Sequence, residues 1–143
     1  MKENRYDDNA FFEKYSRFPR SVEGLSAAGE WETLSSMLPD FADKRVLDLG
    51  CGFGWHCEYA AEQGAAYVLG TDISKKMLDT AHDKNTHANV EYRRMAMEDI
   101  DFKPGSFDIV ISSLAVHYVE DMGALCNNVY EILAPGGAFV YSA

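Results

Sequence analysis

Apolar positions follow two different periods along this chain. Ahead of residue 44 the period is helical. Within GLSAAGEWETLSSMLP, Leu25, Ala28, Trp31, Leu34 and Leu38 recur at spacings of three or four, which predicts one face of a helix ended by Pro39. Phe11, Phe12, Tyr15 and Phe18 form a shorter aromatic stripe before Pro19. From residue 44 onward, short apolar runs of strand length appear at 45–49, 67–71, 90–95, 107–112 and 138–141, most of them rich in Val, Ile, Tyr or Phe. Helical stretches separate several of them. One covers 55–63 and stops at Gly64; a second is capped by Ser74 and carries Met77, Leu78 and Ala81. A third is marked by Met122, Leu125, Val129, Ile132 and Leu133 and ended by Pro135-Gly136-Gly137. No repeat, low-complexity tract or linker interrupts the chain.

Strands alternating with helices predict an α/β architecture, a doubly wound, mostly parallel sheet in a three-layer α/β/α arrangement, because parallel neighbours need crossover connections. Such sheets take ligands beyond the carboxyl ends of their strands, where the strand order reverses. Residues 1–43 therefore read as a helical cap or lid segment and 44–143 as the ligand-binding domain.

Composition narrows the classes. The chain has 143 residues, 47% of them hydrophobic, which suits one domain with one core. No run approaches the roughly 20 consecutive apolar residues of a membrane span. The N-terminus, MKENRYDDNAFFEKYSRF, is too charged for a secretory signal. Three cysteines without a CxxC suggest neither a disulfide framework nor a metal site, and predict a reducing, cytoplasmic location. The net charge of −10 repels anionic partners at long range, so nucleic acid is not expected as the main partner.

The chemistry is concentrated after the first two strands. Val46-Leu47-Asp48-Leu49 runs into Gly50-Cys51-Gly52-Phe53-Gly54, where glycines let the backbone turn tightly and approach a ligand. Glycine-rich turns also occur without ligands, so the two flanking acids matter. Asp48 lies in an otherwise apolar strand, where a carboxylate is costly unless partnered. Asp72 ends the second strand, placed to accept both hydroxyls of an adenosine ribose, or else to cap the next helix together with Ser74. A nicotinamide-binding GxGxxG fits less well: Trp55 stands where its last glycine is expected, and Asp48 is left unexplained.

VLDLGCGFG (46–54) resembles the first motif of class I S-adenosylmethionine-dependent methyltransferases, and VLGTDIS (68–74) resembles their acidic second-strand motif. FKPGSFDIVISSLAVHYVED (102–121) and LAPGGAFVYS (133–142) are similar to the fourth-strand and fifth-strand regions of the small-molecule branch related to ubiquinone and menaquinone methylation. The resemblance implies a Rossmann-like fold, S-adenosylmethionine as cofactor and methyl transfer to a small-molecule acceptor. It implies that Asp48, Gly50, Cys51 and Gly52 border the methionine part of the cofactor, Asp48 near its ammonium group. Asp72 would hold the ribose, Ile73 would lie against the adenine, and Met97 and Glu98 would sit at the adenine edge. The family's Gly-Asp-Ala-Glu is Met95-Ala96-Met97-Glu98 here, so Glu98 or Asp99 replaces the acid missing at Ala96, or backbone groups suffice. The segment 112–118 would face the transferred methyl, with Ser112 among the cofactor contacts.

That segment lacks the Asn/Asp-Pro-Pro-aromatic sequence of amine methyltransferases acting on nucleic acids, which favours oxygen, carbon or sulfur acceptors. His117 is the candidate general base, with a packed, supporting histidine as the plainer reading; His56 reads the same way. Tyr6, Tyr15, Arg20 and Tyr118 are candidate lid or substrate contacts, and Cys57 and Cys126 read as small buried hydrophobes. No metal site is expected. A non-catalytic cofactor-binding or scaffold protein is the alternative from another class. Resembling enzymes continue for two further strands, so the chain is expected to lack them, to bind cofactor with weak or no turnover, and to self-associate through an exposed fifth-strand edge.

Overall fold

The strand and helix patterns assemble into one five-stranded sheet with helices on both faces. The structure is a computed structural model and describes residues 4–17, 24–27 and 29–142. The strands are β1 (Arg45–Leu49), β2 (Tyr67–Asp72), β3 (Val90–Arg94), β4 (Phe107–Ser113) and β5 (Leu133–Ser142). The helices are α1 (Asn9–Ser16), α2 (Trp31–Met37), α3 (Trp55–Glu62), α4 (Lys75–Lys84) and α5 (Met122–Ile132). Strand order is β3-β2-β1-β4-β5, and every neighbouring pair is parallel.

Side-chain alternation explains why the central strands carry apolar residues at both odd and even positions. Val46, Val68, Val90, Ile109 and Ile111 meet Cys57 and Ala60 of α3 and Leu78 of α4 on one face. Leu47, Leu49, Leu69 and Val110 meet Leu125, Val129 and Ile132 of α5 on the other. Both faces are buried, so both strand parities are mainly apolar, and the buried polar groups Asp48, Thr71, Asp72 and Ser112 come near the strands' carboxyl ends. The order reverses between β1 and β4, which opens a crevice at their carboxyl ends.

Three local expectations need correction. The helix expected across Leu25–Leu38 is a 3-10 turn (Gly24–Ala27) followed by α2, with a turn at Gly29 and Glu30 between them. Leu25 is therefore off the α2 face, while Leu34 is buried and Trp31 lies edge-on to Tyr59 with ring centroids 4.7 Å apart. Ala28, Phe18 and Pro19 lie outside the described residues. Leu133 caps α5 and begins β5, because Pro135 disfavours helical backbone just ahead of it. Leu133 pairs with Phe107 and Ala138 with Ile109, so the register shifts over 134–137. Cys126 is exposed, one position off the buried Leu125–Val129–Ile132 stripe, whereas Cys57 is buried as expected.

Gly70 has a specific packing reason. It lies in register between Asp48 of β1 and Tyr92 of β3, and a Cβ there would stand 2.8 Å from both Cys57 Sγ and the Tyr92 ring. The missing side chain makes room for a buried polar row beneath the glycine loop. Among the described residues, no helix is long and apolar enough to cross a membrane.

Candidate active site

The site is built at the carboxyl ends of β1, β2 and β4. After β1 the backbone turns at Gly50 with φ 69°, and a Cβ there would be 2.6 Å from the Ala115 Cβ. The turn and the loop after β4 are thus pressed together across the crevice, a closeness that only glycine permits. The Cys51 N–H donates to the Thr71 carbonyl at 2.8 Å, and the Gly52 N–H donates to Asp72 Oδ2 at 2.9 Å. Asp72 Oδ1 accepts from the Ser74 N–H at 2.8 Å. Ser74 itself caps α4, its Oγ accepting from the Met77 N–H at 3.2 Å. Capping therefore falls to Ser74, while the Asp72 carboxylate ties the glycine turn to the end of β2. Burial raises the pKa of Asp72 above the usual carboxylate value, with the Asp7 charge adding to the effect and backbone donors opposing it.

Over this turn lies a cavity of about 340 Å³, within the range of roughly 300–1,000 Å³ usual for small-molecule sites. Gly50, Gly52, Asp72 and Ile73 line it from the β1 and β2 ends, and Met97 and Glu98 from the 3-10 turn after β3. Leu114, His117 and Tyr118 line it from the loop after β4, and Tyr6 and Tyr15 from the N-terminal segment. Ala96 is also on the wall and Asp99 is not, which leaves Glu98 as the carboxylate on that side. The described wall residues include two carboxylates and a histidine, and no Lys or Arg. His117 is exposed at the rim with its ring centroid 4.2 Å from that of Tyr118, so it is not a packed, buried histidine. Leu114 adopts a left-handed φ of 52°, and its N–H donates to the Ser142 carbonyl at 3.0 Å.

Several sequence-predicted residues stand elsewhere. Asp48 is 1% exposed and lies beneath the turn rather than on the cavity wall. Its Oδ2 accepts from Cys57 Sγ at 3.4 Å, and its Oδ1 has no hydrogen-bond partner. Burial pushes the Asp48 carboxyl up to about 8 and raises the Cys51 and Cys57 thiols, so all three keep their protons at neutral pH. Cys51 lines a smaller adjoining cavity together with Gly50, Gly52, Phe53, Trp55 and His56. Ser112 is buried, its Oγ donating to the Leu49 carbonyl at 2.8 Å. Its neighbour Ser113 lines both cavities instead, because β4 continues one residue past the expected end and alternation turns Ser113 to the crevice. Arg20 lies outside the described residues.

Trp55, the first residue of α3, meets the N-terminal segment at Gly24, where a Cβ would be 2.8 Å from its Cε3. Lys84 Nζ stands 2.9 Å from the Trp55 ring centroid, and burial lowers the ammonium pKa to about 8. Sequence reasoning missed Asp7, Met77 and Met95 and, within the segment 112–118, gave the cofactor contact to Ser112 rather than Ser113. Asp7 carries no local signal, because its partners lie far along the chain, whereas its neighbour Asp8 caps α1 through the Phe11 N–H at 2.9 Å.

A doubly wound sheet with a glycine turn and a strand-end acid at its switch point defines a nucleotide-type α/β domain. Residues 47–141 match the model of the methyltransferase domain family, and the chain belongs to that family. It is 47% identical to an S-adenosylmethionine-dependent methyltransferase from Mesorhizobium loti, with a TM-score of 0.80 over 82% of this chain and 54% of that one. It is 31% identical to the ubiquinone biosynthesis O-methyltransferase of Neisseria meningitidis serogroup A over 99% of this chain and 65% of the relative. It is also 36% identical to the 18S rRNA (guanine-N(7))-methyltransferase of Mus musculus, over 85% of this chain and 40% of that protein. The chain thus spans between two fifths and two thirds of the length of these proteins.

Proposed function

We propose that this chain forms the S-adenosylmethionine-binding part of a methyltransferase acting on a small-molecule acceptor. The observation that carries the reading is the pairing of Asp72 with the glycine turn at the foot of the cavity, where strand-end acid and open backbone meet. The residues fit such a cofactor. The cavity is apolar along Ile73, Met77, Met95 and Met97, and its described charges suit a ligand that brings its own positive charge. The Asp48 carboxyl, protonated at neutral pH and with its Oδ1 buried without a partner, adds a neutral polar group under the turn.

When bound, S-adenosylmethionine supplies a transferable methyl group on a sulfonium. Asp72 would accept the ribose hydroxyls, Ile73 and Met97 would hold the adenine between them, and Glu98 would accept from its amino edge. Asp48, Gly50, Cys51 and Gly52 would border the methionine part, with Gly50 and Gly52 leaving room for close approach. Tyr6, Tyr15, Tyr118 and Leu114 would exclude water and align the acceptor, which is where most of the rate advantage of such a transfer lies. His117, open at the rim, would take the acceptor's proton. The roofed cavity and the charge of −10 support a small acceptor over RNA. A cytoplasmic place of action goes with this reading, since cysteines without a pairing pattern suit a reducing compartment.

Calorimetry with S-adenosylhomocysteine, run beside NADH and an Asp72→Ala variant, tests the proposal. Binding of the first ligand alone, weakened at least tenfold in the variant, is the expected result. Binding of NADH, or equal affinity in wild type and variant, overturns it. Among the described strands β5 has β4 on one side and no neighbour on the other. Self-association through that edge is expected in light scattering at micromolar concentration, and a strictly monomeric chain removes that part of the reading.

A further inference from the structure

The segment that roofs the cavity is fastened at a residue that does not line it. Asp7 ends a 3-10 turn at Arg5–Asp7, and its Oδ1 accepts from Ser74 Oγ at 2.6 Å and from the Lys76 N–H at 3.1 Å. Its Oδ2 accepts from Asn4 Nδ2 at 3.0 Å and from the Lys75 N–H and Arg94 Nη2, each at 3.4 Å. A carboxylate from far upstream thus sits on the first turn of α4, where free N–H groups and the helix dipole favour negative charge. Next to it, Tyr6 reaches the other bank of the crevice. Its hydroxyl lies 3.2 Å from that of Tyr118, and its ring is edge-on to Tyr15 with centroids 5.1 Å apart. The roof therefore bridges the β2 and β4 ends, held by Asp7 on one side and Tyr6 on the other.

The two sides of the cavity differ in how much core they would disturb by moving. β1, β2 and β4 carry the buried centre of the protein, whereas α1 has no buried residue. Elements with little buried contact open at the lowest free energy. We propose that Asp7 is the latch of the N-terminal segment, a positioning residue that holds Tyr6 over the cavity and must leave α4 for a ligand to exchange. The latch does not depend on which ligand the cavity takes.

Amide hydrogen exchange on the ligand-free chain tests this with Asp7→Asn, which keeps the side-chain shape and removes the charge. Residues 9–17 are expected to exchange at least tenfold faster in the variant, with β1 and β4 protected as in wild type. Stopped-flow dissociation of S-adenosylhomocysteine supplies the readout that a merely structural role would not move: at least fivefold faster release from Asp7→Asn, and unchanged release from Asp40→Ala, which removes an exposed turn bond to the Ala42 N–H ahead of β1. Wild-type exchange over 9–17 in Asp7→Asn overturns the latch, and so does loss of β1 and β4 protection, which would make Asp7 a fold residue. If the wild-type chain does not retain S-adenosylhomocysteine, the exchange comparison decides alone.

Discussion

The floor and the roof of the cavity are made by different means. The floor is backbone: a turn of five residues between β1 and α3, tied by its own N–H groups to Thr71 and Asp72. The roof is side chain: phenol rings from the N-terminal segment and from the loop after β4, and a carboxylate docked on a helix that begins 68 residues later. Backbone architecture depends on residue types at fixed local spacing and tolerates little substitution. Side-chain architecture depends on meetings between distant segments, each bond contributing modestly and each replaceable. The difference predicts a graded response, severe at the floor and mild at the roof.

Gly50→Val should have the largest effect. It adds atoms beside Ala115 in a backbone with φ 69°, at a cost of roughly 2–5 kcal/mol from strain and overpacking. S-adenosylhomocysteine binding should fall below calorimetric detection, and a variant that binds normally would remove the floor's claim to rigidity. Asp72→Ala comes next, with affinity reduced at least tenfold, about 1.4 kcal/mol. The Gly52 and Ser74 N–H groups lose their acceptor as well, so urea unfolding should show a stability loss on the order of 1–3 kcal/mol.

Asp48 gives a pH signature of the floor. Its folded-state pKa is raised to about 8, so between about pH 4 and pH 8 the unfolded chain has released this proton and the folded chain has kept it. The folded state then binds more protons, and stability falls as pH rises through that window. Asp72, also raised, contributes in the same direction. Asp7 is lowered to about 2; its contribution is complete above the unfolded value near 4 and is lost only as pH falls toward 2. Urea midpoints at pH 5 and pH 8 should therefore differ less in Asp48→Asn than in wild type. Equal differences would mean that Asp48 is ionised in the folded protein. The smallest effect belongs to the roof: Tyr6→Phe removes one neutral, part-buried hydrogen bond and keeps the ring, so affinity should change by no more than about 0.5 kcal/mol, the low end for a neutral bond. A loss as large as that of Asp72→Ala would erase the contrast.

The same contrast explains what could be read from the sequence. The five strands, the Ser74 cap and the turn at Gly50–Gly54 follow from period, cap chemistry and glycine spacing, all local signals. Asp72 was legible as an acid at a strand end, though its bond to the Gly52 N–H required the fold. Choosing Ser112 over Ser113 failed by one residue because strand parity at an end depends on where the ladder stops. Asp48 was legible as an anomaly but not as a group buried beneath the turn, since that depends on Gly70, Cys57 and Tyr92 meeting on one face. The helix over 25–38 failed because its apolar spacing continues through Gly29, where the backbone turns. Asp7 had no signal at all: nothing in residues 1–20 announces a docking point on α4.

Trp55 gives the protein an optical property. The chain has two tryptophans, so a Trp31→Phe background leaves one indole, in contact with Gly24 of the N-terminal segment and with the Lys84 ammonium. Its emission will be quenched according to the charge of Lys84 and will shift to the red when residues 24–27 come away and water reaches the ring. The fold thus contains an unlabelled fluorophore at the junction of its two unlike halves, able to report in real time when one parts from the other.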